Sequence, residues 1–293
     1  MARFALMLLL ATASARAEDI YPVFGPRFGL EKGVPHRVLG ERFAWALARD
    51  RKLLRDAAGF DKAAAFALKN VEKLRTDYVE LGAGFYLIQA DDDHVLARLL
   101  LTARIAALKV KGNPVAFAPA RHLVFITGSE DPKGLRLAAR RLAKYARGKD
   151  AFSGAGIELV KGSWRPFVPE GDGKVARALR SHAAVSWAID VGRQSAKLRR
   201  ELGEEINIGS LENDGEGTVA VWTRDVDTLL PRPDRIRFID LDQPEGQIVV
   251  ATVPWSRVVA VCPKLLVKNH LFYERYRTRS FPTEDEFTKM RED

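Results

Sequence analysis

Asn113-Pro-Val-Ala-Phe-Ala-Pro-Ala-Arg-His-Leu-Val-Phe-Ile-Thr-Gly128 decides how the chain is read. Two short apolar runs flank a Pro119-Ala-Arg121-His122 corner, which reads as strand, tight turn, strand. A similar stretch returns at Ile248-Val-Val-Ala-Thr-Val-Pro-Trp-Ser-Arg-Val-Val-Ala-Val-Cys262. Placing Pro119 on Pro254 aligns Val115 with Val250, Ala116 with Ala251 and Val124 with Val259. The echo predicts an α+β fold of two similar units, each an antiparallel sheet covered by helices, related by internal duplication.

Working outward, the order of elements supports this expectation. Glu18–Gly33 is rich in Pro, Gly and aromatics and reads as an irregular arm. Val38, Phe43, Ala46, Leu47, Leu53 and Leu54 recur at helical spacing and predict a helix running to about Ala57. Asp61 would cap the next helix, Ala63–Leu74. Asp77–Leu81 and Phe85–Ile88 form a hairpin about Gly82-Ala-Gly84. Asp91-Asp-Asp-His94 opens a helix over Val95–Leu108, and a further helix spans Lys133–Arg147. A hairpin about Lys161-Gly162 ends the first unit, 34–169. Glu170-Gly-Asp-Gly173 is the boundary, and the second unit is 174–293. It opens with a helix over Lys174–Leu202 and continues with a hairpin at Asn213-Asp214-Gly215. Asp225–Leu230 reads as a helical turn, Pro263–Tyr276 as a weak helix, and Thr283-Glu-Asp-Glu286 as a capping box.

The first residues have the order of an export signal. Arg3 is followed by the apolar run Phe4–Ala11 and by Ala15-Arg16-Ala17, a small-x-small cleavage site, so residues 1–17 read as a signal peptide and Glu18 as the mature start. The run is far shorter than the ~20 residues a bilayer needs, and no other stretch is apolar enough to span one. The expected location is outside the cytoplasm, periplasmic or secreted. The chain has 293 residues, 47 Lys and Arg and 38 Asp and Glu, a net charge of +9. Without Arg3 and Arg16 the balance is 45 − 38 = +7, which favours acidic partners. The single cysteine, Cys262, cannot form an internal disulfide and ends an apolar run, as a buried small hydrophobe does.

Asn70-Val-Glu-Lys-Leu74, Gly84-Phe-Tyr-Leu-Ile88, Leu99-Leu-Leu101 and Val115–Arg121 leading into Val124–Ser129 resemble an uncharacterised bacterial family, domain of unknown function 1444. The resemblance covers about Ala63–Phe167 and implies a fold, not a reaction. The family often shows Pro-x-Arg-Asp at the turn, where this chain has Pro119-Ala-Arg121-His122.

Motifs that carry catalysis are missing from the sequence. There is no Gly-x-Ser-x-Gly, no phosphate loop, no His-Glu-x-x-His and no paired-cysteine motif. No cofactor and no metal are expected: the consecutive Asp91–His94 side chains diverge, and Glu212–Glu216 lacks calcium-loop spacing. Two places could hold an anion. Arg121 and His122 at the first turn, with Arg257 at the matching second turn, would flank a common cleft if the units packed about a pseudo-twofold axis. At 100° per residue, Lys133, Arg136, Arg140, Lys144 and Arg147 fall on one helix stripe opposite Leu135, Ala138, Leu142, Tyr145 and Ala146. The expected function is non-catalytic binding of an unknown acidic or protein partner in the cell envelope. Nucleic acid is not expected for an exported chain. The alternative is an envelope hydrolase using His122 at the cleft between the units.

Overall fold

The computed structural model describes residues 20–26, 36–39, 43–49, 52–54, 59–82, 84–145, 151–203, 206–241, 248–269, 271 and 273–291. The expected signal peptide lies outside them. Two compact units form. The first runs through Ala116 and adds Arg121–Asp131 and Ile157–Pro166; the second holds Phe117–Ala120, Pro132–Gly156 and everything from Phe167. The division differs from one at Glu170–Gly173 chiefly in giving Pro132–Gly156 to the second unit.

Among the described residues the first unit begins with strands β1 (Ile20–Pro26), β2 (His36–Leu39), β3 (Phe43–Arg49) and β4 (Lys52–Leu53). They form one antiparallel sheet, with β3 between β1 and β2. The expected arm therefore carries a strand, and within the expected helix the described residues His36–Leu39, Phe43–Arg49 and Lys52–Leu53 are strands. Trp45, Ala46, Leu47 and Ala48 are buried in unbroken succession, which a one-sided amphipathic helix would not allow. Helix α1 (Phe60–Lys73) covers this sheet, with the Phe60 ring 6.1 Å from that of Trp45. Its N-cap is Gly59 rather than Asp61, which sits in the first turn and pairs with Arg37 at 2.8 Å.

Next come β5 (Asp77–Gly82), β6 (Phe85–Gln89), a 3-10 segment Val95–Leu100, α2 (Thr102–Ala106), β7 (Pro114–Ala120) and β8 (Leu123–Gly128). Helix α3 (Pro132–Tyr145) precedes β9 (Gly156–Val160) and β10 (Ser163–Pro166). The opening stretch is the hairpin its sequence predicts, with Arg121-His122 between β7 and β8. The six-stranded sheet has the order β10-β9-β7-β8-β6-β5, so the most apolar pair lies at its centre. Every residue of β7 is buried, and every residue of β8 after Leu123. A strand buried on both faces needs such a run rather than alternation. At the end of β8 the backbone passes so close to Lys111 that a Cβ on Gly128 would lie 1.9 Å from the Lys111 carbonyl oxygen. Only glycine permits that approach.

The second unit is organised on α4 (Lys174–Leu202), predicted with the same bounds. After it come β11 (Asn207–Ile208), β12 (Glu212–Asn213), β13 (Thr218–Thr223), β14 (Thr228–Pro231), β15 (Arg235–Asp240) and β16 (Ile248–Pro254). Helix α5 (Trp255–Val261), β17 (Val267–Asn269), β18 (Arg275–Thr278) and α6 (Glu284–Arg291) complete it. Two sheets result, β11-β14-β18-β17 and β12-β13-β15-β16. Each contains one parallel pair, β11 with β14 and β13 with β15. Asp225–Leu230 thus ends in strand β14 and Pro263–Tyr276 contains β17, where helical segments were expected. The capping box forms as read: the Thr283 backbone N–H donates to Glu286 Oε2 at 2.8 Å, and the Glu286 N–H to Thr283 Oγ1 at 3.3 Å.

The second proline corner is not a hairpin. Pro254 ends β16 in extended backbone, and α5 begins at the next residue. Trp255, Val258 and Cys262 are buried while Val259 is 41% exposed. Burial at steps of three and four is the helical period; alternation would have buried other positions. The turn expected to match Arg121-His122 therefore does not exist, and internal duplication is not confirmed.

One side chain ties the second unit together. Arg275 is wholly buried on β18. Its Nε donates to Gln194 Oε1 at 2.7 Å, one terminal nitrogen to the Gly209 and Leu229 carbonyls at 2.9 Å each, and the other to Ser195 Oγ at 2.8 Å and the Val191 carbonyl at 3.4 Å. The guanidinium's five N–H groups thus meet five neutral acceptors. Burial, and to a lesser extent Arg199, pulls its pKa down to about 10, which still leaves a cation at neutral pH. Arg275→Met keeps the length but orphans these acceptors, and should lower the stability of this unit by about 3–5 kcal/mol. Urea unfolding followed by tryptophan fluorescence measures it; a change under about 1 kcal/mol would show the cage to be dispensable.

Candidate functional site

Helix α3 carries the densest row of exposed cations that the sequence predicted. Gly134, Ala138, Ala139 and Leu142 are buried, and Leu135 and Tyr145 are half-buried. On the other side Lys133, Arg136, Arg140 and Lys144 are all exposed. The fifth expected member, Arg147, lies outside the described residues. The helix contains no acidic residue, and among the described residues Arg136, Arg140 and Lys144 make no ion pair. Lys144 Nζ stands 5.9 Å from the Tyr145 ring centroid. Neighbouring cations three and four positions apart repel by about 0.2–0.5 kcal/mol per pair in an isolated helix. Lys133 also sits in the first turn, at the positive end of the dipole. At Arg136 and Arg140 this repulsion is a local electrostatic cost that no acid on the helix offsets.

Packing of α3 on α4 holds this face outward. His182 of α4 donates to the Ala139 carbonyl, and burial, the larger effect, pulls its pKa below 6.5. Behind His182 the backbone is crowded: a Cβ on Gly154 would lie 2.5 Å from the His182 carbonyl oxygen. The Gly154 N–H donates to Ser186 Oγ at 2.7 Å, fixing the loop after α3 to the same helix.

Of the other predicted residues, Arg121 and His122 belong to the first unit and Arg257 to the second. Arg121 and His122 are exposed at the hairpin turn of the first unit. His122 makes no hydrogen bond or ion pair with a described residue, so no described group orients it as a general base. Arg257 is half-buried on α5, not at a turn. Cys262 is buried, and its thiol is pushed up to about 12 by burial and by Glu286, far from a reactive thiolate.

Asp91–His94 serves the fold. Asp92 takes two hydrogen bonds from the fully buried Arg98, at 2.8 and 2.7 Å. Arg98 also donates to Thr76 Oγ1 at 3.1 Å and the Arg75 carbonyl at 2.8 Å. This bidentate pair holds the Asp92 carboxyl below its usual range. His94 stacks on Tyr21 with centroids 4.1 Å apart, and burial lowers its pKa. A shallow polar cleft of about 150 Å³ lies beside them, lined by Arg75, Asp77, Gln89, Ala90, Asp91 and Asp92. No group of three His, Cys, Asp or Glu among the described residues is arranged to hold a metal ion. Sequence reading missed Arg98 and Arg275, because their partners are distant in the chain and a buried arginine has no local signature.

No family model matches the chain, and neither a curated protein nor a solved structure matches it.

The two depressed histidines set a pH dependence. Above 6.5, His94 and His182 are neutral in both states; as pH falls below it, the unfolded chain takes up protons that the folded chain resists. Stability should therefore decline on acidification from about pH 6.5 downward. His182→Gln should reduce the slope in that window, leaving the His94 share. Thermal melts from pH 7.5 to 5 test this, and an unaltered slope would remove His182 from the account.

Proposed function

We propose that this chain is an exported, non-catalytic binding protein that holds an acidic partner of the cell envelope on the exposed face of α3. The observation that carries the reading is the row Lys133, Arg136, Arg140 and Lys144, exposed together on a helix without an acid. Mutual repulsion makes such a row unfavourable in the free protein, and a polyanion converts that cost into attraction. The net charge that remains once Arg3 and Arg16 are removed, 45 − 38 = +7, acts in the same direction at longer range. Export rests on the Arg3, Phe4–Ala11 and Ala15-Arg16-Ala17 pattern. No described helix is long and apolar enough to cross a membrane. The resemblance over Ala63–Phe167 includes α3 and, as a proposal, supplies a fold without a reaction.

Combining Lys133→Gln, Arg136→Gln, Arg140→Gln and Lys144→Gln is the direct test. Each cation near an anionic surface contributes about 1 kcal/mol, so the fourfold variant should bind a sulfated-polysaccharide column more than about a hundredfold more weakly. Its melting temperature should hold or rise slightly, since the repulsion is relieved. Elution at the parent's salt concentration would overturn the reading.

A further inference from the structure

The geometry of the row points to the kind of anion it takes. We infer that the α3 face binds a linear acidic glycan, a chain with one carboxylate per sugar ring, lying along the helix axis. This rests on the reading that α3 is the binding face.

Three features carry it. First, the cations form a line rather than a cluster. At 1.5 Å per residue, Lys133, Arg136, Arg140 and Lys144 are spaced by about 4.5, 6 and 6 Å along the axis, roughly 16 Å in all. A line of that length faces several charges of an extended polyanion at once, which a compact anion cannot span. Second, the row stands on an open helix face. All four side chains are exposed and spread over about three turns, so a small anion would meet only one or two cations at a time. A polymer meets all four. Third, the apolar side of α3 is spent inside its own unit, on Gly134, Ala138, Ala139 and Leu142. A helix lying in a bilayer surface needs that side free to insert.

Single-stranded nucleic acid offers a comparable charge spacing but is held largely by stacking on aromatic rings. The one ring on α3 is Tyr145, half-buried at its end with Lys144 beside it. Arginine at Arg136 and Arg140 suits a carboxylate, which its planar donor fork can meet in a bidentate fashion.

The test is calorimetric titration of the full chain with galacturonate monomer, dimer, tetramer and octamer. Parallel arms use an oligothymidylate of matched charge and vesicles of phosphatidylglycerol and phosphatidylcholine. Affinity should climb at least tenfold from dimer to tetramer and then level off. Its salt dependence should correspond to four contacts, a log–log slope near −3 at about 0.7 per charge. The fourfold glutamine variant should lose the tetramer's advantage. Equal affinity for monomer and tetramer would overturn the linear-ligand inference, as would tighter binding to the oligothymidylate or to vesicles. In each of those three cases, weaker binding by the fourfold variant keeps α3 as the binding face. No binding to any arm would sink that underlying reading as well.

Discussion

A guanidinium withdrawn from water must find acceptors for its N–H groups, and each unit is arranged to supply them for one arginine. In the first unit Arg98 is fully buried and clamped on the Asp92 carboxylate, with Thr76 and the Arg75 carbonyl completing its shell. In the second, Arg275 finds five acceptors and no carboxylate among them. The desolvation of such a group is severe, so the positions of the acceptors are constraints on the backbone and not ornaments of it. Gly209 and Leu229 must bring their carbonyls together, which fixes β14 against the segment after α4. Val191, Gln194 and Ser195 must face inward, which fixes the rotation of α4.

That requirement explains Gln194 and Ser195, two of the buried polar residues that α4 has where an ordinary core helix would carry leucine. Ser186, Asp190, Gln194 and Ser195 are all buried. Asp190 accepts from Tyr273 Oη at 3.2 Å, and the Trp187 and Tyr273 rings meet edge to face at 5.3 Å. An apolar stripe tolerates small rotations, whereas a hydrogen-bonded one accepts a single register. The same residue type meets the opposite fate on α3. There Arg136 and Arg140 stay in water, and the row they belong to is the feature without an internal explanation. The contrast between satisfied and exposed arginines draws attention to α3 rather than to the total charge.

Local signals in the sequence were dependable where a segment's partners lie nearby. The β7–β8 hairpin, the bounds of α4 and the Thr283–Glu286 box all follow from residues within a few positions of one another. The basic row of α3 was legible for the same reason, since helix period alone places Lys133 through Lys144 on one side. Failures came where apolar spacing admits two readings. Phe43–Arg49 matches a helix loosely but is a strand buried on consecutive positions. The stretch after Pro254 mimics a strand in composition, rich in valine, while its burial at 255, 258 and 262 is helical. Arg98 and Arg275 were invisible for a different reason. Arg275 bonds residues up to 84 positions away, and no window on the sequence contains both ends of such a contact.

Those distances also order events in time. The cage round Arg275 closes only when β18 meets α4, and β18 pairs with β14 some 50 residues upstream. Until Arg275 has been made, the acceptors that Val191, Gln194 and Ser195 turn toward it lack their donor, and the loop to be closed is long. The second unit can therefore be completed only late in synthesis, whereas the described strands of the first are all made by Pro166. In a newborn chain of this design, the longest helix waits for nearly the last strand before its inward polar groups are all matched.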